Sequence, residues 1–289
     1  PCMKENYPSR IDRAKALLSR ADKIVIGGGA GLSSAAGLLY SGKRFTDNFA
    51  DFIRKYGMQD MYSAGFYPFR TQEEKWAYWS RHIRLNRFVP PALPLYRKLF
   101  ALVRDKDYFV VTTNVDGQFE KAGFPPARIF AVQGDYGLLQ CAKGCHDTLY
   151  DDRALTEQMT AEQADCRVPS RLVPKCHVCG GDMEVHIRKD ADFVQDRAWY
   201  EAADRYDAFL ADAAQKKTVL LELGVGYNTP TIIRFPFERL TNRRKETCLI
   251  RVNADFPEAL PENAGKTVSF PEDIATVLED LQQNNAPRG

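Results

Sequence analysis

The chain has no surplus of either charge. Its 40 Lys and Arg face 38 Asp and Glu, for a net of +2. So even a balance lacks the electrostatic footprint of a dedicated nucleic-acid binder or a polybasic membrane binder. Long apolar runs are missing too. Stretches such as Val219-Leu220-Leu221 are far too short to cross a bilayer, and nothing resembles a signal peptide. Repeats and low-complexity tracts are absent. Histidine is scarce, with four in 289 residues, so a proton acceptor near neutral pH has few candidates. The chain begins at Pro1 rather than Met, which points to an upstream piece outside this numbering. What is there is globular: 44% hydrophobic and 27% charged residues, in a length that suits one large domain or one domain with an insert.

The seven cysteines are an odd count. Cys2, Cys166 and Cys248 are scattered. Cys141-x3-Cys145 and Cys176-x2-Cys179 form two close pairs, the spacing of a tetrahedral zinc site rather than a disulfide framework. Gly180-Gly181 allows a tight knuckle after the second pair. The first pair is one residue wider than the commonest knuckle, and the plainer reading is a knuckle that has lost its metal. His146 and His177 each follow a cysteine and are substitute ligands. The site reads as closed and structural, and reduced cysteines point to a cytoplasmic setting.

Helix, strand and glycine turn open the chain. Ser9 is a candidate cap for a helix carrying Ile11, Ala14, Leu17 and Leu18 at helical spacing. Lys23-Ile24-Val25-Ile26 reads as a buried strand running into Gly27-Gly28-Gly29-Ala30-Gly31-Leu32-Ser33, the way an α/β fold opens a phosphate site. Further strands are expected at Tyr108–Thr113, Arg128–Val132, Thr218–Gly224, Thr247–Asn253 and Thr267–Phe270, with a helix from Glu272 to about Gln282. This alternation predicts a mostly parallel sheet with covered faces.

Two stretches break the rhythm. Residues 40–90 hold 13 of the 33 aromatics. Within them Thr71 and Glu74 form a capping box ahead of a helix with Trp76, Trp79 and Ile83 on one face. Residues 134–189 carry the cysteine pairs. These are read as two insertions that pack together as a smaller domain, leaving 1–39, 91–133 and 190–289 as the sheet domain.

Polar groups recur just after strands: Thr112-Thr113-Asn114-Val115-Asp116-Gly117, Gln133-Gly134-Asp135-Tyr136, Gly224-Val225-Gly226-Tyr227-Asn228 and Arg251-Val252-Asn253. Each alone is a turn and nothing more. Together they fall on one edge of one sheet, where α/β folds bind ligands. The glycine stretch lacks the dehydrogenase pattern, because Ser34 stands where a third glycine is wanted.

In order and spacing, Gly29-Ala30-Gly31-Leu32-Ser33 with Gly37, Thr113-Asn114-Val115-Asp116, Gln133-Gly134, the paired cysteines, Gly224 and Val252-Asn253 resemble sirtuins. More narrowly, Met61-Tyr62-Ser63-Ala64-Gly65-Phe66-Tyr67-Pro68-Phe69, Trp76-Ala77-Tyr78-Trp79 and Gln133-Gly134-Asp135-Tyr136-Gly137 resemble class M sirtuins, microbial proteins associated with macrodomains. The resemblance implies an α/β fold: a Rossmann-like parallel sheet with an inserted smaller domain, helical and zinc-ribbon. It implies NAD+ as substrate and structural Zn2+. It implies mono-ADP-ribosyl transfer, with nicotinamide release, onto a lipoylated glycine-cleavage H-like carrier protein, reversed by a macrodomain hydrolase.

Two departures stand out. Leu38-Leu39-Tyr40-Ser41 replaces the usual Ile-Pro-Asp-Phe-Arg run, so the loop on the nicotinamide side is built differently. Gln133 replaces the histidine that serves ordinary sirtuins as general base. A neutral amide bonds ribose hydroxyls but takes up no proton near neutral pH, and a base contributes roughly 10²–10⁴-fold in such steps. Nicotinamide loss should survive and deacylation should be crippled.

Chemistry and resemblance together assign roles. Gly29, Ala30, Gly31 and Ser33 hold the pyrophosphate, with Gly37 and Tyr40 in the cofactor set. Asn114 and Asp116 bind the nicotinamide ribose and carboxamide. Gln133 holds the same ribose. Gly224, Asn228 and Asn253 line the adenosine side and Phe270 touches adenine. Arg188 orients an acidic acceptor or stabilises developing charge, the plainer reading being a solvated arginine. His186 is the remaining candidate base. The competing functions are a protein-lysine deacylase and a non-catalytic NAD or ADP-ribose sensor.

Overall fold

The structure, a computed structural model, describes residues 5–283, so Cys2 lies outside the described residues. In chain order the strands are β1 (Lys23–Gly28), β2 (Tyr108–Thr112), β3 (Ile129–Ala131), β4 (Gly134–Cys141), β5 (Tyr150–Asp151), β6 (Met183–Ile187), β7 (Thr218–Leu223), β8 (Thr247–Val252) and β9 (Thr267–Phe270). The main sheet runs β3-β2-β1-β7-β8-β9, with every pairing parallel. That is the Rossmann order, and its reversal point lies between β1 and β7. The expected strands form: the first runs on through Gly27 and Gly28, Thr267–Phe270 is as expected, and the other four lose a residue at one or both ends, where Thr113, Gly224 and Asn253 leave the ladder.

Side-chain alternation along β1 builds two cores. Ile24 and Ile26 join Val110, Leu221 and Ile250 under the helices Tyr7–Arg20, Pro94–Val103 and Ile274–Gln282. Val25 joins Phe109, Val111, Leu220 and Leu249 under Arg197–Asp212 and Arg234–Arg243. Both faces of the sheet are therefore covered, as an all-parallel sheet requires.

Three local expectations need correcting. The first helix is capped by Asn6, whose Oδ1 accepts the Ser9 amide at 3.0 Å; Pro8 already fits the first turn, so Ser9 lies inside it. Thr71 does cap Gln72–Ile83 by accepting the Glu74 amide. The Glu74 carboxylate, however, turns to Tyr56 and Arg167, so the reciprocal half of the capping box is not made. The last helix starts at Ile274, with Asp273 as its cap.

A third core joins the aromatic stretch to the cysteine-bearing one. Phe45, Phe49, Phe52, Trp76 and Tyr78 pack with Tyr136, Met183 and Val185. The second sheet, β5-β4-β6, is antiparallel and small.

Candidate functional site

A cleft of about 690 Å³ lies over the C-terminal ends of β1, β2, β3, β7 and β8. One wall of it, at the glycines, is backbone against backbone. Gly224 has φ +64°, and a Cβ there would sit 2.3 Å from the Leu32 nitrogen. A Cβ on Gly29 would sit 2.5 Å from the Gly224 carbonyl. Only glycine permits that approach. The Gly29 and Gly31 amides are already used, donating to the Leu223 and Gly224 carbonyls. These glycines therefore act by letting two strand ends meet.

Asn114 lines the cleft. Its Nδ2 donates to the Gly29 carbonyl at 2.8 Å, and its backbone amide to Thr112 Oγ1 at 3.0 Å. That assignment leaves the Asn114 Oδ1 as the end free for a ligand. Gln133 lies in the wall opposite, at the end of β3. Its Oε1 is buried and has no hydrogen-bond partner. A buried acceptor without a donor is costly unless a ligand completes it. Gly134, at φ +100°, is required beside it, because a Cβ would meet the His186 carbonyl at 2.0 Å. The Arg188 amide donates to the Gln133 carbonyl, tying the two residues together. Arg188 is exposed, its guanidinium 4.4 Å from the Phe193 ring centre, and it lines the same cleft.

Gly29, Ala30, Gly31, Asn114, Gln133, Arg188, Gly224, Asn228 and Asn253 are thus brought to one cleft. Other expected site residues lie elsewhere. Asp116 is buried behind the wall, its carboxylate accepting from Ser33 Oγ at 2.5 Å and from the Gln118 amide at 3.1 Å. Burial raises its pKa against those two bonds. Ser33 is buried with it and also meets the Tyr96 hydroxyl at 2.6 Å. Its hydroxyl therefore faces the core, since the helix turns that position inward. Phe270 is fully buried at the end of β9, against Tyr7 and Arg10. Glu272 and Ile274 line the cleft in its place. Gly37 is exposed at φ +109°, in a turn off the wall.

Tyr40 belongs to a second chamber of about 600 Å³ that shares Tyr62, Phe66, Ile187 and Arg188 with the cleft. Its hydroxyl meets that of Tyr136 at 2.6 Å, and burial pushes its pKa up to about 12. His82, fully buried, also lines this chamber, and burial depresses it to about 3. His186 is buried, its Nδ1 bonded to Gln140 Oε1 at 2.8 Å and its ring stacked on Phe193. Burial lowers its pKa as well. Neither ring is placed as a base for the cleft.

The cysteines converge. The four sulfurs of Cys141, Cys145, Cys176 and Cys179 lie within 4.8 Å of one another, with Cys141–Cys179 at 3.7 Å and Cys145–Cys176 at 3.5 Å. A tetrahedron with zinc–sulfur bonds of about 2.3 Å gives similar separations. Gly180 at φ +72° and the Gly181 amide on the Cys179 sulfur complete the knuckle. Backbone amides, that of Cys145 first, pull the Cys141 thiol down to about 6. His146 stays beside the cluster, its Nδ1 3.0 Å from the Cys145 sulfur and 3.8 Å from that of Cys176 and its Nε2 2.7 Å from the Tyr150 hydroxyl, while His177 meets that hydroxyl at 3.3 Å. The donor set therefore fits zinc.

Sequence reasoning missed Tyr96, which backs Ser33 and Asn114. It also missed the buried Glu222–Arg251 pair. Charged residues inside otherwise apolar strands were the available signal.

No protein-family model matches the chain. It is 36% identical over 273 residues to the protein ADP-ribosyltransferase of Staphylococcus aureus strain Mu50, covering 93% of this chain and 86% of that one. It is 34% identical to a Fusarium oxysporum f. sp. cubense protein named "Probable bifunctional ADP-ribose hydrolase/ADP-ribosyltransferase". That match covers 95% of this chain and about half, 48%, of the relative. Among solved structures, a Sir2 enzyme matches with TM-score 0.58 at 18% identity, covering 95% of this chain and 98% of that one. A Sir2 homologue–NAD complex matches with TM-score 0.57 at 14% identity, covering 93% and 91%. These last two show the fold. The chain belongs to the NAD+-dependent protein ADP-ribosyltransferases built on the sirtuin fold.

Proposed function

We propose that this chain is a class M sirtuin that transfers one ADP-ribose from NAD+ to a lipoylated glycine-cleavage H-like carrier protein, and that a macrodomain hydrolase removes it. The observation that carries this reading is the buried, unpartnered Oε1 of Gln133 in the cleft wall. It accepts a hydrogen bond from a ribose hydroxyl and holds the sugar. It keeps no proton, because an amide is not a base near neutral pH. His82 and His186 are buried and held neutral, so neither supplies the missing base.

The Asn114 Oδ1 would orient the nicotinamide ribose, with Asp116 and Ser33 setting the wall behind it. In transfer, the ribose C1′–nitrogen bond to nicotinamide breaks and a C1′–oxygen bond to the acceptor forms. A carboxylate acceptor needs no base, being already deprotonated, and Arg188 stands at the rim to orient it. The aromatic chamber beside Arg188 is apolar enough to take the carrier's lipoyl arm. The metal quartet would hold the small sheet in register as structural zinc. The division into 1–39, 91–133 and 190–289 against 40–90 and 134–189, and a cytoplasmic location, belong to the same reading. Among the described residues, no helix is long and apolar enough to cross a membrane.

The test is incubation with adenylate-labelled NAD+ and the lipoylated or unlipoylated carrier. Label on the lipoylated carrier, with nicotinamide released in equal amount, supports transfer. O-acyl-ADP-ribose in solution means deacylation instead. Nicotinamide release at the spontaneous rate leaves only a sensor.

A further inference from the structure

Four charged side chains lie beneath the adenosine end of the cleft, and the chemistry above does not use them. Glu222 on β7 and Arg251 on β8 are wholly buried, and Arg234 and Glu238 on helix Arg234–Arg243 nearly so. Arg251 clasps Glu222 with two bonds, 2.7 and 3.0 Å, and reaches Glu238 at 2.7 Å. Arg234 stands 3.6 Å from Glu222. Two positive charges meet two negative ones. A buried ladder of this kind is a poor device for stability, since apolar side chains of similar volume serve as well.

The arginine donors left over go to loop carbonyls. Arg234 donates to the Val225 carbonyl at 3.2 Å and to that of Phe256 at 3.0 Å. Arg251 donates to the Glu258 carbonyl at 2.8 Å. Val225 also receives Asn253 Nδ2 at 2.9 Å, while Asn253 Oδ1 accepts the amides of Asp255 and Phe256. The two loops that line this end of the cleft, 224–229 and 253–256, are thereby fastened to each other through one carbonyl and to the ladder below. The Arg234 guanidinium also lies 4.4 Å from the Tyr227 ring centre, and Tyr227 meets Phe256 edge-on.

We infer that Arg234, held by Glu222 and the Arg251–Glu238 pair, is a positioning residue that sets both adenosine-side loops and so determines affinity for the dinucleotide, while leaving the chemical step alone. This rests on the reading that the cleft takes NAD+ with its adenosine against these loops.

Arg234→Met removes both loop bonds and leaves Glu222 paired with Arg251. The dissociation constant for ADP-ribose, by calorimetry, and KM for NAD+ should each rise by about tenfold or more, as expected of displaced binding loops. The kcat should stay within about twofold, because uniform binding is what is lost. Arg234→Lys keeps the charge beside Glu222 and can reach one carbonyl, so it should fall between; it carries the test if Arg234→Met does not fold. Arg239→Met, exposed on the same helix, should match the wild type. A cooperatively melting Arg234 variant with wild-type ADP-ribose affinity overturns the inference, as does a loss confined to kcat. If the wild-type protein itself binds no ADP-ribose, the reading of the cleft falls, and the inference with it.

Discussion

The two walls of the cleft are made of different material. The glycine wall is backbone: Gly29 and Gly31 pressed on Gly224, with buried charges holding the loops beyond. The opposite wall is side chain: Gln133 and Arg188, then Tyr62 and Phe66, which are 60% and 66% exposed. A cofactor of fixed shape suits a wall with few ways to move. An acceptor carried on another protein suits exposed, adaptable side chains around a rim. The first wall answers mainly to backbone geometry and the second to residue identity, so the same substitution should do different things on each.

That contrast can be broken most severely through the metal. Elemental analysis should find one zinc per chain. Stripping it should remove on the order of 10 kcal/mol from the small sheet, abolish transfer and flatten the near-UV circular dichroism of Trp76 and Trp79, while ADP-ribose binding, which the proposed reading gives to the glycine wall, persists. A folded, metal-free protein would falsify the zinc assignment. Gly224→Ala comes next. With φ +64° and a 2.3 Å clash, it should cost about 3 kcal/mol or more and abolish ADP-ribose binding in calorimetry. Phe66→Ala on the opposite wall should leave both melting and ADP-ribose affinity within error and slow only transfer to the carrier. Asn114→Ala should lower labelling by about 10²-fold or more with melting unchanged; normal labelling removes its role.

The smallest effect lies in the small module. Asp152 is buried with both carboxylate oxygens unpartnered, and burial, helped by Asp135 and Asp151, pushes it up to about 8. Unfolded, it ionises near 3.8. The fold therefore favours the protonated form, so its contribution is intact below pH 3.8, erodes as pH rises and is gone above 8. Asp152→Asn should leave the melting temperature unchanged at pH 4 and raise it by about 2–5 °C at pH 8. Equal shifts at both pH values would refute this.

Much of the cleft lining was legible because apolar runs end at polar turns, and that pattern is local. The parallel sheet with both faces covered followed from alternation of strands and helices, and the cysteine quartet from spacing. What escaped depended on which way a side chain points. Ser33, Asp116 and Phe270 sit at the right places along the chain, but one turn of helix or one step of strand aims them into the core. Asn6 displaced Ser9 as a cap because Pro8 suits the first helical turn. The second chamber was visible only as a density of aromatics, since its walls come from segments more than a hundred residues apart.

One ring ties distant parts of this chemistry together. Phe193 stacks on His186 with centroids 4.4 Å apart and carries the Arg188 guanidinium at the same distance. The posture of Arg188, the one cation among the described residues that lines both cavities, is thus set by a ring on the loop that follows it.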